Sequence, residues 1–515
     1  MKKTTAIIAA LLLLLMGLAG CSREAASQDD TGYYTGREEM PVLSQDSGPA
    51  KGGCLSLFMT TPDSLNPLYT LNPYVRNLSL FVFDSLFIAD GENSCVNMLA
   101  ESWQLSEDGL TLDIRLRDKI AFHDGTEFSA KDVAFTIDAI RNAGARSPYM
   151  DNVANIDSVI VTDRLQVRLI FRKRDPNWPL KLTFPILPEH VFKDWPIDGY
   201  DPEQKLIGTG AYRYEAIQED VISLTRNDDW WYVSAPDGLG HPVWIDRIAF
   251  VIHGGDHEMM SSFQKNIIDI ATVSGSGMDY YSNRSDILYS PYVGNRFEYL
   301  LLSNTGSDNR KMENAMFRAA LLRYLAGYMG QNPLELGISA VEEVPWGSIE
   351  NRAGREDAIV ALEQLGMVYD ENKNVLYTYR NGVKTPLTLN LKYNNLDLDR
   401  ETVAKWIQTA LKEIGINVVL EKSSEDDEMR AVSNRRFDMM ILGSRIPFYS
   451  NMEETLELIC ENLGLDGEEA VILPLYRKPE AVLYSLEIRG VKKPFWKNVY
   501  NGWTEWYLVQ PGTDK

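Results

Sequence analysis

The stretch from Leu387 to Leu420 constrains the fold most. Leu387, Leu389, Leu391 and Tyr393 alternate with polar residues, the period of a strand buried on one face. Asp399 follows as a helix cap. Val403, Trp406, Ile407, Ala410, Leu411 and Ile414 then recur at three-and-four spacing, an amphipathic helix. Gly415 closes that helix and Ile416–Leu420 reads as the next strand. A strand, a helix and a second strand in so short a span predict a parallel crossover, which needs a layered α/β architecture.

The rest of the chain repeats these signals without a fixed period. Leu110, Leu112, Ile114 and Leu116 alternate with Thr111, Asp113 and Arg115, and Leu165, Val167, Leu169 and Phe171 alternate again. Ser129-Ala130-Lys131-Asp132 reads as a capping box opening a helix with Val133, Ile137 and Ile140 on one stripe. The 515 residues, 44% apolar and 24% charged, suffice for several folded domains and exclude wholesale disorder. Seventy-three acids against 51 bases leave a net charge of −22. That charge repels phosphate backbones and anionic headgroups, so no nucleic-acid partner is expected.

The N-terminus reads as an address. Lys2 and Lys3 precede an apolar run, Ala6–Met16, too short to span a bilayer and suited to the core of an export signal. The run ends in Leu18-Ala19-Gly20-Cys21, which resembles the bacterial lipobox. That resemblance implies a lipoprotein signal peptide over residues 1–20 and a membrane anchor on an acylated Cys21; an ordinary signal peptide is the alternative. Two acyl chains anchor stably where one does not. Residues 21–53, polar and rich in Gly and Ser, read as a flexible tether of roughly 30 Å coil dimension.

A series of motifs in fixed order follows. Ser64-Leu65-Asn66-Pro67 leads to Leu99-Ala100-Glu101-Ser102-Trp103, Asp108-Gly109-Leu110-Thr111, Phe122-His123-Asp124-Gly125-Thr126 and Ala130-Lys131-Asp132-Val133-Ala134-Phe135. Later come Gly208-Thr209-Gly210-Ala211-Tyr212, Leu224-Thr225-Arg226-Asn227 before Trp230-Trp231, Ile268-Asp269-Ile270-Ala271, Leu473-Pro474-Leu475-Tyr476 and Trp503-Thr504-Glu505-Trp506. The series resembles the signature of family 5 extracellular solute-binding proteins, the oligopeptide-, dipeptide- and nickel-binding components of ABC importers. The resemblance implies an α/β, two-lobed periplasmic-binding-protein type II fold with an extra subdomain in lobe one. Lobe one is expected over 54–297, with the subdomain at about 80–200, lobe two over 298–473, and a return to lobe one over 474–515. Gly109, Gly125, Gly208 and Gly210 read as turn glycines. His123-Asp124 reads as a strand-end turn with Asp124 bonding backbone amides.

The sequence departs from the family where the cleft is normally lined. In Phe437-Asp438-Met439-Met440-Ile441-Leu442-Gly443-Ser444-Arg445-Ile446-Pro447-Phe448, Ser444 stands at the family's tryptophan position. Pro447 stands at that of the aspartate which holds a peptide amine. Arg445 adds a permanent cation whose planar fork suits a carboxylate or phosphate, so an anionic group on the ligand is expected there. A protein carboxylate is the alternative partner. After Phe317–Tyr328 the family's Ile-Asp-Arg turn is missing, and the segment after Gly330 is short.

Further ligand-binding candidates follow from position: Thr60 and Thr61 at the end of the first strand, Ser274 within Val273–Gly277, Tyr280 and Tyr281, and Asn304 within Ser303-Asn304-Thr305. Tyr280 and Tyr281 can stack on a ligand or serve as core. There is no nucleophile elbow, phosphate loop or dinucleotide fingerprint, so no enzyme, catalytic residue or cofactor is expected. His253, His257 and Glu258 have a metal-like spacing, but Asp256 reads as the cap of a helix beginning near His257, which leaves His253 outside it; no metal site is assigned. Cys54–Cys95 is the one disulfide worth considering, with free thiols as the alternative. Glu425, Asp426, Asp427 and Glu428 read as a solvated loop.

The reading is a monomeric, lipid-anchored substrate-binding protein on the extracytoplasmic face of a cell membrane. It delivers a peptide or similar small polar solute to the permease subunits of an ABC importer. A surface sensory or interaction protein that retains the fold without transport, and a nickel or metal-chelate binder, are the alternatives.

Overall fold

The computed structural model describes residues 48–91, 94–195, 205–304, 310–332, 352–380, 382–447, 450, 452–465 and 471–509. The export signal, Cys21, most of the tether, Thr305, Phe448 and nearly all of the segment after Gly330 lie outside the described residues. The chain divides into two units. Unit one comprises the described residues through Thr272, Arg284–Ser290 and those from Val482 on; unit two comprises Val273–Asn283 and Pro291–Ala481. Among the described residues no helix is long and apolar enough to cross a membrane.

In unit one, β1 (Cys54–Thr60) leads to α1 (Pro73–Val82), capped by Asn72. A four-stranded antiparallel sheet follows from β2 (Ala100–Leu105), β3 (Thr111–Leu116), β4 (Ile156–Asp163) and β5 (Gln166–Phe171), in the order β2-β3-β5-β4. Between β3 and β4 lies α2 (Ala130–Ala143), opened by the expected capping box: Ser129 accepts from the Lys131 amide and Asp132 accepts from the Ser129 amide. Leu112, Ile114, Val167 and Leu169 are all buried, as their alternation requires. The strands β6 (Tyr212–Gln218), β7 (Val221–Arg226), β8 (Arg247–His253) and β9 (Ile270–Ser274) complete the second sheet, ordered β9-β1-β8-β7-β6. Both neighbours of β1 run parallel to it, and the β8-β7-β6 edge is an antiparallel meander.

Two of the four turn glycines have a different cause. Gly109 and Gly125 do have positive φ, 71° and 89°. Gly208 and Gly210 do not; they lie against the end of α1. A Cβ on Gly208 meets the Val82 carbonyl oxygen at 2.0 Å, and one on Gly210 meets the Phe81 carbonyl oxygen at 2.6 Å. Between them, Thr209 donates to the buried Asp84 at 2.8 Å, and the indole nitrogen of Trp231 donates to the same oxygen at 2.8 Å.

In unit two, α3 (Met278–Ser282) precedes β10 (Ile287–Leu302) and α4 (Ala315–Gln331). Then β11 (Thr388–Asn394), α5 (Leu398–Glu413) and β12 (Asn417–Ser423) form the crossover read from the sequence, with β11 and β12 parallel throughout. The helix cap is Asp397, not Asp399: the Asp397 side chain accepts from the amides of Asp399 and Arg400 at 3.1 and 3.2 Å. Gly415, at φ 79°, allows the chain to turn tightly against Leu376. The acidic run is helical rather than a loop. It forms the first turn of α6 (Glu425–Asn434), where carboxylates favour the helix N-terminus, and Glu428 is buried. Next come β13 (Met439–Arg445) and β14 (Ile472–Ser485), and the sheet runs β12-β11-β13-β10-β14. Leu389, Leu391, Val403, Ile407, Leu411, Met439 and Ile441 share one core with Leu321 and Leu325 of α4. Each such side chain contributes roughly 1.5–3 kcal/mol when buried.

Cys95 is a free cysteine, so the Cys54–Cys95 pair does not form.

Candidate functional site

The site in unit two begins with strand periodicity. Arg296 and Glu298 are two apart on β10, and Lys478 and Glu480 are two apart on β14, so each pair shares a face. The loop from β11 into α5 brings Leu396, Asp397, Leu398 and Asp399 to the same place. Together with Ser274 and Gly275 these residues line a cavity of about 290 Å³.

Its floor is an ion network. The Lys478 ammonium donates to Asp397 at 2.7 Å and lies 3.6 Å from Asp399 and 3.7 Å from Glu298. Glu298 is wholly buried and accepts from Arg400 Nε at 2.8 Å; Arg400 Nη1 reaches Glu428 at 3.3 Å. Burial pushes the Glu298 carboxyl upward, against the pull of Arg400 and Lys478. Burial also raises Asp397, but the Lys478 hydrogen bond and charge, with help from Arg400, win and hold it below the usual carboxylate range. Beside them the Tyr476 hydroxyl, buried and near Glu298, is pushed well above its ordinary value and has no hydrogen-bond partner among the described residues. On the rim, Tyr292 donates to Glu480 at 2.6 Å. Leu396 and Leu398 are 88% and 66% exposed, an apolar lip on a charged cavity. The arrangement can bind a small charged solute; it holds no nucleophile with an adjacent base.

Of the residues expected from sequence, Ser274 lines this cavity. Arg445 is exposed at the end of β13, where it stands opposite the cavity residue Arg296; Ser444 is half-buried opposite Phe297. Tyr280 is 64% exposed on α3 and meets buried Tyr281 edge to face. Asn304 is buried and accepts from Arg435 at 3.3 Å. Thr60 and Thr61 belong to unit one, where Thr60 Oγ1 accepts from Asn72 at 2.9 Å. Sequence reasoning missed Arg296, Asp397, Lys478 and Glu480. For Arg296, Lys478 and Glu480 the one signal was charge at alternate positions inside strands that are otherwise apolar; Asp397 lies in the loop before α5.

Unit one holds a second cavity, of about 390 Å³, lined by the signature residues Phe122, His123, Asp124 and Gly125 with Thr209, Arg213 and Trp231. The Gly208 amide donates to His123 Nδ1 at 3.3 Å, and Nε2 bonds the Gly210 carbonyl at 2.9 Å, which fixes a neutral imidazole. Burial first, and then the Arg213 charge, lower its pKa to about 4 against the Gly210 bond. Asp124 accepts from the Thr126 amide at 3.0 Å, as a strand-end turn should, and from His190 at 2.7 Å. His253 ends β8, outside the following helix, and stacks on Phe58. Asp256 is not a cap: the short helix there begins after Gly255, without a side-chain cap, and Asp256 instead accepts from the Tyr74 hydroxyl.

These features sit in a chain similar to known proteins. The family model for bacterial extracellular solute-binding proteins, family 5 (middle segment), matches residues 94–324. The oligopeptide-binding protein AppA of Bacillus subtilis is 22% identical over 467 residues, covering 86% of this chain and 80% of that one. Among solved structures, the ABC transporter substrate-binding protein CtaP of Listeria monocytogenes superposes with a TM-score of 0.63 at 19% identity, covering 89% of this chain and all of that one. NikZ of Campylobacter jejuni, solved with Ni(L-His), gives 0.57 at 19% identity over 88% of this chain and 98% of its own. By sequence and fold together, the chain resembles the extracellular solute-binding proteins of family 5 and shares their fold.

Proposed function

We propose that this protein is the solute-capturing component of an ABC importer, and that it takes a peptide or similar small polar solute to the permease subunits. Family 5 proteins bind rather than catalyse, and a relative matched over 86% of this chain binds oligopeptides by name. The observation that carries the reading is the unit-two cavity, in which fixed cations and carboxylates stand beside an exposed apolar lip. Such a surface suits a solute with charged ends and an apolar body. Ser274, Arg445 and the tyrosines Tyr280 and Tyr281 are proposed to contribute to the ligand surface. Two lobes closing about a hinge is the motion this role calls for, with ligand contacts stabilising the closed state.

The export signal and Cys21 support a lipid anchor on the extracytoplasmic face of the membrane, and a monomer is proposed. Intact-mass measurement of the mature chain tests the anchor: a diacylglyceryl addition on Cys21 supports it, and an unmodified N-terminus refutes it. Capture is tested by native mass spectrometry of gently purified protein, followed by thermal melting with peptides, amino acids and nickel–histidine complexes. A bound solute at a hundredfold excess over its Kd adds about 2.7 kcal/mol of stability. Retention of no small molecule, with no shift from any of these, refutes the reading and favours a surface protein that keeps the fold without transport. A shift from nickel–histidine alone favours the metal-chelate reading.

A further inference from the structure

We propose that Arg296 and Arg445 form a two-arginine clamp beside the unit-two cavity that holds a carboxylate of the captured solute. This deepens the solute-capture reading and rests on it. The antiparallel register of β10 and β13 places the two residues directly opposite one another. Opposed side chains on one face start about 5 Å apart, and like charges there are destabilising. Another register of the protein pairs opposite charges instead. On β3 and β5 the same kind of register sets Arg168 opposite Asp113, and the guanidinium grips both carboxylate oxygens at 2.7 and 2.9 Å.

Among the described residues nothing plays the part of Asp113 here. Among the described residues Arg445 makes no hydrogen bond or ion pair, and its side chain is exposed. Arg296 has a single carboxylate neighbour, Glu298, at 3.6 Å, too far for a hydrogen bond. Glu298 stands opposite Gly443, one step deeper on the same face, and is already shared with Arg400 and Lys478. Two planar donor forks, one with no carboxylate partner among the described residues and the other with only a shared one at 3.6 Å, form on the edge of a cavity a receptor for an oxyanion. The rest of the lining selects among oxyanions. Asp397, Asp399 and Glu480 outnumber Lys478. A phosphate dianion meets repulsion there, whereas a singly charged carboxylate on a molecule that is cationic elsewhere meets attraction.

Thermal melting and calorimetry on the full chain test this with trialanine, its C-terminal amide, glutarate and inorganic phosphate. The expected result is stabilisation by trialanine and little or none by its amide, by phosphate, or by glutarate, which carries two negative charges and no cation. Arg445→Gln and Arg296→Gln should each weaken the carboxylate probe on the order of tenfold to a hundredfold. Arg445→Lys, which keeps the charge but loses the fork, should recover part of that loss. Unchanged far-UV circular dichroism shows that the variants fold. Equal binding of acid and amide, a preference for phosphate, or glutamine variants that bind as the parent does would each overturn the clamp while leaving solute capture standing. No stabilisation by trialanine also overturns the clamp; the retained-molecule experiment above then decides separately whether capture itself survives.

Discussion

Replacing Arg400 with methionine keeps the length of the side chain and removes its charge. Arg400 is buried between two carboxylates that are themselves buried: Glu298 at 2.8 Å and Glu428 at 3.3 Å. After the change, Glu298 keeps only the longer approaches of Arg296 and Lys478, at 3.6 and 3.7 Å. Glu428 keeps the Ser423 hydroxyl at 3.2 Å. Breaking a buried pair by deleting one partner costs about 3–5 kcal/mol, because an uncompensated charge stays behind. The loss should also depend on pH in a defined direction. Burial already raises both carboxyls above their ordinary values, and loss of the cation raises them further. Between neutral pH and the ordinary glutamate range the folded variant therefore binds more protons than the unfolded chain, and its stability rises as pH falls. Urea unfolding at pH 7 and pH 5 measures both effects, with hydrogen exchange locating the transition that contains β11 and α5. A loss under about 1 kcal/mol, or one of equal size at both pH values, refutes the account of a charge-stranded core.

Other outcomes follow from the same geometry. Gly208→Ala places a methyl 2.0 Å from a backbone carbonyl that no side-chain motion can clear; a loss of about 3 kcal/mol or more in thermal melting is expected. Gly443→Ala sets a methyl 2.6 Å from the Glu298 carboxylate and should cost about 1–3 kcal/mol, with less loss once Arg400 is already methionine, a coupling that a double-mutant cycle reads. His123, held down to about 4, binds fewer protons folded than unfolded between pH 6.5 and 4. Unit one should lose up to about 3 kcal/mol from this group as pH falls through that window. His123→Gln should flatten that part of the stability curve, and an unchanged slope contradicts the assignment.

The β11–α5–β12 crossover was legible because both periodicities are clean and one face of each element is buried. Its cap was misplaced by two residues because Asp397 and Asp399 are equally good cap residues. Only the backbone decides between them, and it places Asp397 where its carboxylate can reach the Asp399 amide. The glycines of Gly208-Thr209-Gly210 were legible as necessary but not for the right reason: close approach to α1 is a tertiary fact, invisible to local turn chemistry. The acidic run misled because charge density suggests solvent, while one of its four residues turns inward to meet an arginine 28 positions earlier. Of the site, Arg445 and Ser274 could be flagged from single segments. Arg296, Asp397, Lys478 and Glu480 could not, because the cavity exists only once strand register and a helix cap bring four distant segments together.

Cys95 has a practical consequence. Its thiol is partly shielded and pushed up to about 11, by burial first and by the neighbouring Asp90 carboxylate. At neutral pH only about one molecule in ten thousand then carries the reactive sulfur anion. An alkylating reagent supplied at low concentration should therefore pass over the native chain and label it at this position only once the surrounding β-hairpin, Phe87–Ala89 paired with Cys95–Asn97, comes apart. The protein thus carries a built-in clock for the opening of its first unit, readable by mass without any engineered probe.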